Sequence, residues 1–406
     1  MTEPARYVCA FRGMRDSYQA PLALAEGDLL DQLITDAYAT PAVRAVARHV
    51  PGRGIDKLAR RYEAGIPDDR VRCLWPTALR EQLRHAAGVS KNLTWLQYDR
   101  HYSEAAASEA RRAKANLFLY SPYAWEAFVA SYSHQPRRVL FQYHPHPDTE
   151  RRLLEDDAAR YPAEHNGREL DSRPQIERLI RRERDCWQHA DVIICSSAFT
   201  KRSLTAVGCP PGRCVVIPYG VAVPETASPP PADGFKALFV GTGSRRKGLP
   251  HLLRGWQRAS LPTHSRLVVV SRALDPGVAD LAAATRGVEL LDGASAAQLQ
   301  QLYAASSVFV MPSLVEGFGL VYLEAMAHGC PVLGTPNTCL PDLGSEDDGI
   351  FVTPAGDVDA LVAMLERLAR TIPGAPALRT RARELAARYP WQRFRRAVRD
   401  VAGAAA

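Results

Sequence analysis

The sequence lacks several features that would place it in a particular class of protein. No apolar run approaches the roughly 20 residues that a membrane-spanning helix needs, and the first residues lack the apolar core of a signal peptide. The eight cysteines are scattered and form no Cys-x-x-Cys pair, so we expect reduced structural thiols and neither zinc ligands nor disulfides. Repeats and low-complexity segments are also missing. We therefore expect a globular protein of the cytoplasm.

The composition leaves one question about partners open. The 406 residues predict two to three domains, and 46% hydrophobic and 23% charged residues are typical of a soluble protein. The formal charge is +7, and basic residues outnumber acidic ones between residues 41 and 115. This excess indicates either a solvated arginine-rich surface or a surface for anionic partners, such as phosphates or acidic lipid headgroups at the inner face of a membrane. We expect no nucleic-acid partner, and the sequence leaves the oligomeric state undetermined.

Short apolar strands alternate with helical stretches through most of the chain, which predicts parallel sheets covered by helices. A proline-rich segment at 223–235 separates two series of strands and is typical of an interdomain linker. The predicted strands are 5–11, 29–35, 115–121, 138–144, 191–197 and 214–220, then 236–242, 266–272, 287–293, 306–313, 331–335 and 349–353. The predicted fold class is therefore α/β, with two doubly wound, Rossmann-like domains at 1–219 and 220–387. Sheets of this kind bind ligands at the carboxyl ends of their strands, so we expect a cleft between the two domains.

Two glutamates stand eight positions apart in SLVEGFGLVYLEAMAHGCPV, which begins at residue 313. Glu316 lies in the loop that follows a predicted strand, and Glu324 lies in a helix that we expect to begin near Gly319 and to end at Gly329. Free backbone N–H groups at such a helix start bind anions. A phosphate there, with hydroxyl groups near both carboxylates, describes a nucleotide sugar. The alternative is a capping acid and a solvent-facing helix acid.

A second segment, FVGTGSRRKGLPHLL (239–253), combines a strand, a glycine turn and a basic cluster. Arg246 and Lys247 are well placed to neutralise a diphosphate. The alternative is a dinucleotide site, because GTGSRR carries the first two glycines of Gly-x-Gly-x-x-Gly, and Ser271-Arg272 could mimic a 2′-phosphate site. Arg246 occupies the third glycine position of that motif, where a side chain would obstruct helix packing. We therefore favour the diphosphate.

These segments together resemble the retaining glycosyltransferases of family 4, which have a Glu-x7-Glu signature and the GT-B fold of two facing Rossmann-like domains. The resemblance rests on EGFGLVYLEAMAHGCPV, on FVGTGSRRKGLPHLL and on VIPYGV (216–221), and it is nearly continuous over the second half. The end of the chain, ARYPWQRFRRAVRDV (387–401), is similar to a terminal helix that crosses back onto the first domain. The resemblance therefore implies that a helix at about 388–406 packs on residues 1–219.

The resemblance assigns roles to the residues of the Glu-x7-Glu signature. It implies that Glu316 contacts the hydroxyls of the donor sugar and that Glu324 accepts a hydrogen bond from the ribose. Backbone contacts to sugar and phosphate would come from Phe318, Gly319 and Leu320.

The resemblance also implies where the rest of the donor binds. Arg246 and Lys247 would bind the diphosphate next to Gly241, and the loop after Gly293 would hold the base of a UDP- or GDP-sugar. The family often has an arginine directly after the strand glycine, where this chain has Thr242. Arg246 would therefore carry more of the phosphate charge.

The first half matches the family more loosely. The resemblance implies that Gly13 approaches the phosphates and that His144, in QYHPHP, faces the transferred sugar, with His146 as a competitor for that role. The Gly13 loop, RGMRD, has no glycine pair, and Tyr120-Ser121 stands where many members have a histidine.

No cofactor or metal is implied by these motifs. The only Asp-x-Asp is Asp357-Val358-Asp359, which opens an amphipathic helix, so we expect it to cap that helix and not to bind metal. The sequence thus predicts a retaining, metal-independent hexosyltransferase that acts on a hydroxyl of a saccharide, a lipid-linked saccharide or a small molecule, in glycan, polysaccharide or glycoconjugate biosynthesis. The alternatives are a sugar-nucleotide epimerase or phosphorylase of the same fold, or a non-catalytic sugar-nucleotide-binding partner.

Overall fold

A computed structural model describes residues 6–47, 58–86, 91–161, 181–225 and 234–404 of the protein. It contains two sheets, and every paired strand in both is parallel. The strands are β1 Tyr7–Ala10, β2 Leu30–Thr35, β3 Val71–Cys73, β4 Asn116–Tyr120, β5 Arg138–Gln142, β6 Val192–Cys195, β7 Cys214–Val216, β8 Lys236–Val240, β9 Arg266–Val270, β10 Val288–Leu291, β11 Val308–Val310, β12 Val332–Gly334 and β13 Ile350–Val352. Each of the twelve predicted strands contains one of these.

In both sheets the order of strands reverses beside the strand that comes first in the chain. The first has the order β3-β2-β1-β4-β5-β6-β7, and the second has the order β10-β9-β8-β11-β12-β13. Both are doubly wound, and in such sheets the crevice at the reversal is the ligand site. The reversals lie between β1 and β4 and between β8 and β11. The loops after these four strands therefore form the candidate site.

The sequence prediction missed one strand. β3 has three residues, lies at the edge of the first sheet and is only partly buried. An edge strand of this length has no apolar run, because one side of it faces solvent.

Helices cover both sheets, as the alternation of apolar segments predicts. Their described bounds are Gln19–Glu26, Pro41–Ala47, Trp75–Ala86, Lys91–Ala113, Trp125–Val129, Pro147–Arg160, Ala198–Thr205, Leu249–Arg258, Pro276–Ala284, Ala296–Ala304, Leu320–Ala327, Leu340–Leu343, Val358–Thr371, Pro376–Ala387 and Trp391–Gly403. In the described residues, no helix combines the length and the apolar character that a membrane crossing requires. All eight cysteines are free thiols, which agrees with the expectation of reduced structural cysteines.

The chain crosses from one domain to the other twice, near Gly220 and near Trp391, and the two connections are in contact with each other. The amide of Val221 donates to the carbonyl of Tyr389 at 2.8 Å. A β-carbon on Gly220 would lie 2.6 Å from the backbone of Trp391, so only glycine permits this approach. The middle of the predicted linker, residues 226–233, lies outside the described residues.

The terminal helix, Trp391–Gly403, packs on the first sheet and on helix Gln19–Glu26. Phe394 is buried, with its ring centroid 6.1 Å from that of Phe141 and 5.4 Å from that of Tyr219. Arg395 pairs with Glu26 at 2.8 Å. The last helix of the chain is therefore part of the core of the first domain.

We predict that Phe394→Ala lowers the free energy of unfolding by about 3–5 kcal/mol, because it removes a buried aromatic ring and leaves a cavity. Arg396→Ala, at an exposed position of the same helix, is the matched control and should change it by less than about 0.5 kcal/mol. Denaturant unfolding measures both. Equal effects of the two variants would show that the helix does not anchor the first domain.

Candidate active site

The loop after β11 carries Glu316 into the interdomain cleft, and helix Leu320–Ala327 follows it. Gly319 caps this helix with a φ of +89°, and a β-carbon there would lie 2.7 Å from the ring of Tyr322. Glycine is therefore required at the helix start, where backbone N–H groups stay free for an anion. Gly329, at the other end of the helix, has a φ of +73°, as expected of a glycine that ends a helix.

The Glu316 carboxylate is buried and held by two cations. Its Oε2 atom lies 3.3 Å from Nη1 of Arg246 and in contact with Nζ of Lys247. Burial by itself would raise the pKa of Glu316, but the charges of Lys247 and Arg246 outweigh it and lower the pKa to about 2. Burial in turn lowers the pKa of Lys247, which Glu316 partly restores. The loop thus holds an ionised carboxylate and two cations out of water.

His144 approaches this ion cluster from the first domain. The loops touch directly: a β-carbon on Gly317 would lie 1.8 Å from the carbonyl oxygen of Tyr143 and 3.1 Å from Cα of His144. Burial lowers the pKa of His144 to about 3, and Glu316 opposes this shift only partly. The Nδ1 atom of His144 is buried and has no hydrogen-bond partner in the protein. A neutral imidazole with an unused nitrogen therefore faces the cleft beside Glu316.

His146 lies elsewhere, although the sequence made it a competitor of His144. Its side chain is fully buried, and its Nδ1 atom accepts from the amide of Asp148 at 3.3 Å. Its own amide donates to Oγ of Ser203 at 2.8 Å. His146 therefore caps helix Pro147–Arg160, whereas His144 is the histidine at the ion cluster.

The Glu316 loop is clamped by the first domain on its other side as well. Oγ of Ser197 and Oγ1 of Thr200 donate to the carbonyl of Gly317 at 2.5 and 3.2 Å. Phe318 is buried, with its ring edge-on to Tyr219 and the centroids 5.3 Å apart. The position of Glu316 thus depends on both domains.

The three consecutive basic residues of GSRRKG serve two different purposes. Arg246 and Lys247 hold Glu316, and Nε of Arg246 also lies 3.9 Å from Glu150 of the first domain. The cluster precedes helix Leu249–Arg258, which begins at Gly248 with a φ of +73°. A β-carbon on Gly248 would lie 2.0 Å from the carbonyl oxygen of Pro312, so this turn packs directly against the loop before Glu316.

Arg245 points away from this cluster into a buried interdomain contact. It pairs with Asp157 at 3.3 Å and donates to the carbonyl of Tyr161 at 2.9 Å. Asp157 also contacts Nε2 of His251 at 2.8 Å. The side chains of Arg245, Asp157 and His251 are all at most 5% exposed. Arg245 therefore joins the domains and does not line the donor site.

Glu324 lies in the second turn of its helix, as predicted. Its carboxylate accepts a hydrogen bond from the hydroxyl of Tyr303 at 3.2 Å. Burial raises the pKa of Glu324, and the Tyr303 hydrogen bond opposes that rise. Sequence analysis did not identify Tyr303, because a single tyrosine in helix Ala296–Ala304 gives no sign of a contact to a later helix.

A pocket of about 290 Å³ opens at the carboxyl ends of the second sheet. Its lining includes two of the predicted donor residues, Gly241 after β8 and Gly293 after β10. Arg272, after β9, is the one charged residue in its lining. A β-carbon on Gly293 would lie 2.7 Å from Nε of Arg272, so glycine at this position makes room for the arginine. The pocket therefore spans the ends of three adjacent strands, β10, β9 and β8.

The loop after β1 lines the first-domain side of the cleft and has an unusual backbone. Gly13 has a φ of +80° and donates its amide to Asp36 at 2.9 Å. Asp16, Ser17 and Tyr18 follow with φ of +40°, +51° and +63°, which side chains rarely adopt. Backbone strain of this kind is concentrated at functional sites.

The same loop carries charges that sequence analysis did not assign. The guanidinium of Arg15 lies 4.6 Å from the ring centroid of Tyr143 and 3.3 Å from the hydroxyl of Tyr123. Oδ2 of Asp16 accepts from Tyr120 at 2.8 Å, whereas its Oδ1 is buried without a partner. Burial, opposed by the Tyr120 hydrogen bond, raises the pKa of Asp16 to about 7.

Further carboxylates lie on the same side of the cleft. Burial raises the pKa of Asp99 to about 6 and that of Glu183 to about 7, and it also raises the pKa of Glu150. The charges of Glu150 and Asp99 add to the rise at Glu183. These residues come from three separate helical segments, so no sequence motif connects them.

The Asp-x-Asp segment has the geometry of a helix cap. Oδ1 of Asp357 accepts from the amide of Ala360 at 2.9 Å, and Asp359 pairs with Arg258 at the surface. Within the described ranges, no three His, Cys, Asp or Glu side chains come together as a metal site.

The second domain matches a known family. Residues 234–371 match the family described as "Glycosyl transferases group 1". The second domain is that of a group 1 glycosyltransferase. This match confirms the resemblance seen in the Glu-x7-Glu signature, which lies inside the matched residues.

Curated relatives match about half of this chain. It is 30% identical over 233 residues to an MMP alpha-(1->4)-mannosyltransferase of Mycolicibacterium hassiacum, which covers 55% of this chain and 54% of that protein. It is also 30% identical over 270 residues to a D-inositol 3-phosphate glycosyltransferase of Kineococcus radiotolerans, covering 54% of this chain and 60% of the relative. The chain thus spans a little over half the length of these two relatives.

Solved structures match along almost the whole chain. A sucrose-phosphate synthase of Thermosynechococcus elongatus superposes with a TM-score of 0.69 at 18% identity, covering 98% of each chain. Anabaena HepE in complex with UDP and glucose superposes with a TM-score of 0.59 at 14% identity, covering 98% of this chain and 99% of that one. The predicted GT-B fold is therefore confirmed.

We predict that Asp16→Asn stabilises the protein increasingly as the pH rises from 5 to 8. The pKa of Asp16 in the folded protein, about 7, lies above the ordinary aspartate value of 3.8. Between these values the folded state binds more protons than the unfolded state, so the stability of the wild type falls as the pH rises. Asparagine carries no charge and removes this dependence. Thermal unfolding of both proteins across this pH range is the measurement, and a constant difference between them would contradict the assigned pKa.

Proposed function

We propose that the protein is a retaining glycosyltransferase, which moves a hexose from a nucleoside diphosphate donor to a hydroxyl acceptor. The observation that carries the proposal is the cluster of buried Glu316 with the partly buried Arg246 and Lys247, with neutral His144 opposite it at the interdomain contact. The cluster combines two cations for a diphosphate with a carboxylate and an imidazole for sugar hydroxyls. Its position between two domains suits a donor on one side and an acceptor on the other.

The order of strands in the second sheet suggests how the donor is oriented across the strand ends. In this proposal the base enters the pocket at Gly241, Arg272 and Gly293, over β8 to β10. The diphosphate lies on Arg246, Lys247 and the free amides at the start of helix Leu320–Ala327, and the sugar lies at Glu316. The loop after β11 is two to three strand spacings from β9 and β10, roughly 10–14 Å. An extended nucleotide sugar lies across the strand ends in this order.

The chemical difficulty of such a reaction is the charge that develops on the departing diphosphate. Fixed cations and helix-start amides in a buried site stabilise developing charge without reorganising. Glu316 is ionised and paired with cations, so we assign it to hydrogen bonds from sugar hydroxyls and not to general-base catalysis. In the proposed retaining mechanism the acceptor attacks the face that the diphosphate leaves, and a phosphate oxygen takes the acceptor proton. Neutral His144 contributes a hydrogen bond to the sugar.

The names of similar proteins support a hexose donor. Two of the relatives are mannosyltransferases, an MMP alpha-(1->4)-mannosyltransferase and O-antigen chain mannosyltransferase B of Escherichia coli, the latter 35% identical over 134 residues. One structural neighbour, Anabaena HepE, has been solved with UDP-glucose. We propose a UDP- or GDP-hexose as donor, a saccharide, lipid-linked saccharide or small molecule as acceptor, and no metal ion or other cofactor.

The experiment has two stages. Thermal shifts with UDP-, GDP-, ADP- and TDP-sugars identify the donor, because a ligand that binds only the folded state raises its stability. The selected donor is then incubated alone and with an acceptor mixture, each with and without excess EDTA. Transfer that survives EDTA supports the proposal. An isomerised donor sugar would identify an epimerase, binding without turnover would identify a non-catalytic partner, and manganese-restored activity would identify a metal enzyme.

We predict that Lys247→Ala lowers the turnover number by roughly 10²–10³, the usual scale for the loss of one group that stabilises transition-state charge. Arg258→Ala is the matched control, because Arg258 pairs with exposed Asp359 and lies outside the cluster. Steady-state kinetics with the identified donor measures both variants. Near wild-type turnover of Lys247→Ala would mean that the diphosphate binds elsewhere.

We predict that the two glutamates separate kinetically. Glu316→Gln should mainly lower kcat, because a contact to the reacting sugar strengthens in the transition state. It should not weaken binding of free nucleoside diphosphate, since the variant leaves Arg246 and Lys247 without their competing carboxylate. Glu324→Gln should mainly raise the donor KM and weaken the binding of free nucleoside diphosphate, because the proposed partner of Glu324 is the ribose. Calorimetric titration with the nucleoside diphosphate tests this, and equal losses in both variants would refute the division.

A further inference from the structure

Helix Trp75–Ala86, at the surface of the first domain, presents its apolar side to solvent. Trp75, Leu79 and Leu83 are 44%, 59% and 62% exposed. They are spaced by four residues and therefore lie along one side of the helix. The described residues contain seven exposed large hydrophobic side chains, and three of them are on this helix. Scattered apolar side chains on a surface are ordinary, but a continuous row of them is not.

The side of the same helix that faces the domain includes a buried charge. Glu81, the one acidic residue of the helix, is buried and pairs with Arg12 in the loop after β1. Surface helices of globular proteins usually bury their apolar side. Here three large apolar side chains are exposed instead, and the buried Glu81 pairs with an arginine of the domain.

Arginines accompany the exposed row. Arg80 and Arg84 are exposed and each follows a leucine of the row, and Arg72, which precedes the helix, has a side chain 49% exposed while 3.5 Å from Glu109. Leucine and tryptophan next to arginine form the pattern of a helix that lies in the plane of a membrane surface. The charge complements acidic phospholipid headgroups, and the net charge of the whole chain, +7, has the same sign.

We propose that the exposed row Trp75, Leu79 and Leu83 docks onto an anionic phospholipid bilayer, with Arg80 on its headgroups. Of the two interpretations that the composition left open for residues 41–115, the proposal adopts the surface for an anionic partner. The Glu81–Arg12 pair ties the helix to the residue before Gly13, so docking brings the first-domain side of the cleft to the bilayer. The inference concerns where the protein works and does not depend on which donor it uses.

The test is co-sedimentation of the full chain with two kinds of vesicle. One contains phosphatidylcholine alone, and the other contains roughly one third phosphatidylglycerol, which makes its surface strongly negative. We expect binding to the anionic vesicles that weakens with salt, and at least tenfold weaker binding to the neutral ones. Leu79→Ser/Leu83→Ser should reduce the affinity at least tenfold, because two leucines no longer enter the bilayer. Arg80→Gln should reduce it about fivefold.

Leu290→Ser is the matched control, since Leu290 is 42% exposed but lies on an edge strand of the second domain. It should bind vesicles like the wild type, and all variants should keep the same thermal unfolding temperature within a few degrees. Absence of binding to anionic vesicles, or equal binding of the double variant and the control, would overturn the proposal. So would a concentration-dependent dimer in size-exclusion chromatography that the double variant abolishes, since the row would then bind a second copy of the chain.

Discussion

The candidate site depends on one constraint: Glu316 is ionised inside a contact between two domains. A buried carboxylate is tolerated only with partners, and here the partners are Arg246 and Lys247 from the same domain, with His144 opposite. The backbone of the loop is held from the first domain through the carbonyl of Gly317. Because the ion cluster and the domain contact share one loop, the site is complete only when the domains are together.

The same constraint explains why neighbouring basic residues behave differently. Arg246 and Lys247 pair with Glu316, and in the proposed function a diphosphate takes the place of that carboxylate as their partner. Arg245 pairs with Asp157 and Tyr161, which no ligand is needed to complete. Helix Pro147–Arg160 contributes both Glu150 and Asp157, which are seven residues or about two turns apart. One helix of the first domain therefore pairs with two successive arginines of the second.

Much of this architecture was predictable because it rests on local patterns. Short apolar runs predicted twelve of the thirteen described strands, and glycines at helix ends predicted the bounds of the helix that carries Glu324. The Glu-x7-Glu and Arg-Lys segments are contiguous, so their side chains could be named before any tertiary contact was known. Glu316 lies with Arg246 and Lys247, as a common site requires, although the roles assigned to them stay predictions.

The remaining parts of the site depend on contacts between distant segments. Tyr303 reaches Glu324 only because their two helices lie side by side. Arg245 and Arg246 are adjacent in sequence, but Arg245 contacts Tyr161 of the first domain and Arg246 contacts Glu316. His144 and His146 are equivalent in sequence, and the turn that begins helix Pro147–Arg160 separates them. The acids near Arg15 come from different helical segments, and burial changes their pKa values in ways that composition cannot reveal.

The contact between the two chain passages at Gly220 and Trp391 determines how the domains can move apart. Two chain connections that touch at one place form a single junction between the domains, about which one domain can turn relative to the other. Rotation about this junction opens the cleft most at the end far from it. In the proposed enzyme the donor would enter at that end, and the ion pairs that helix Pro147–Arg160 makes with the second domain would have to break for the cleft to open.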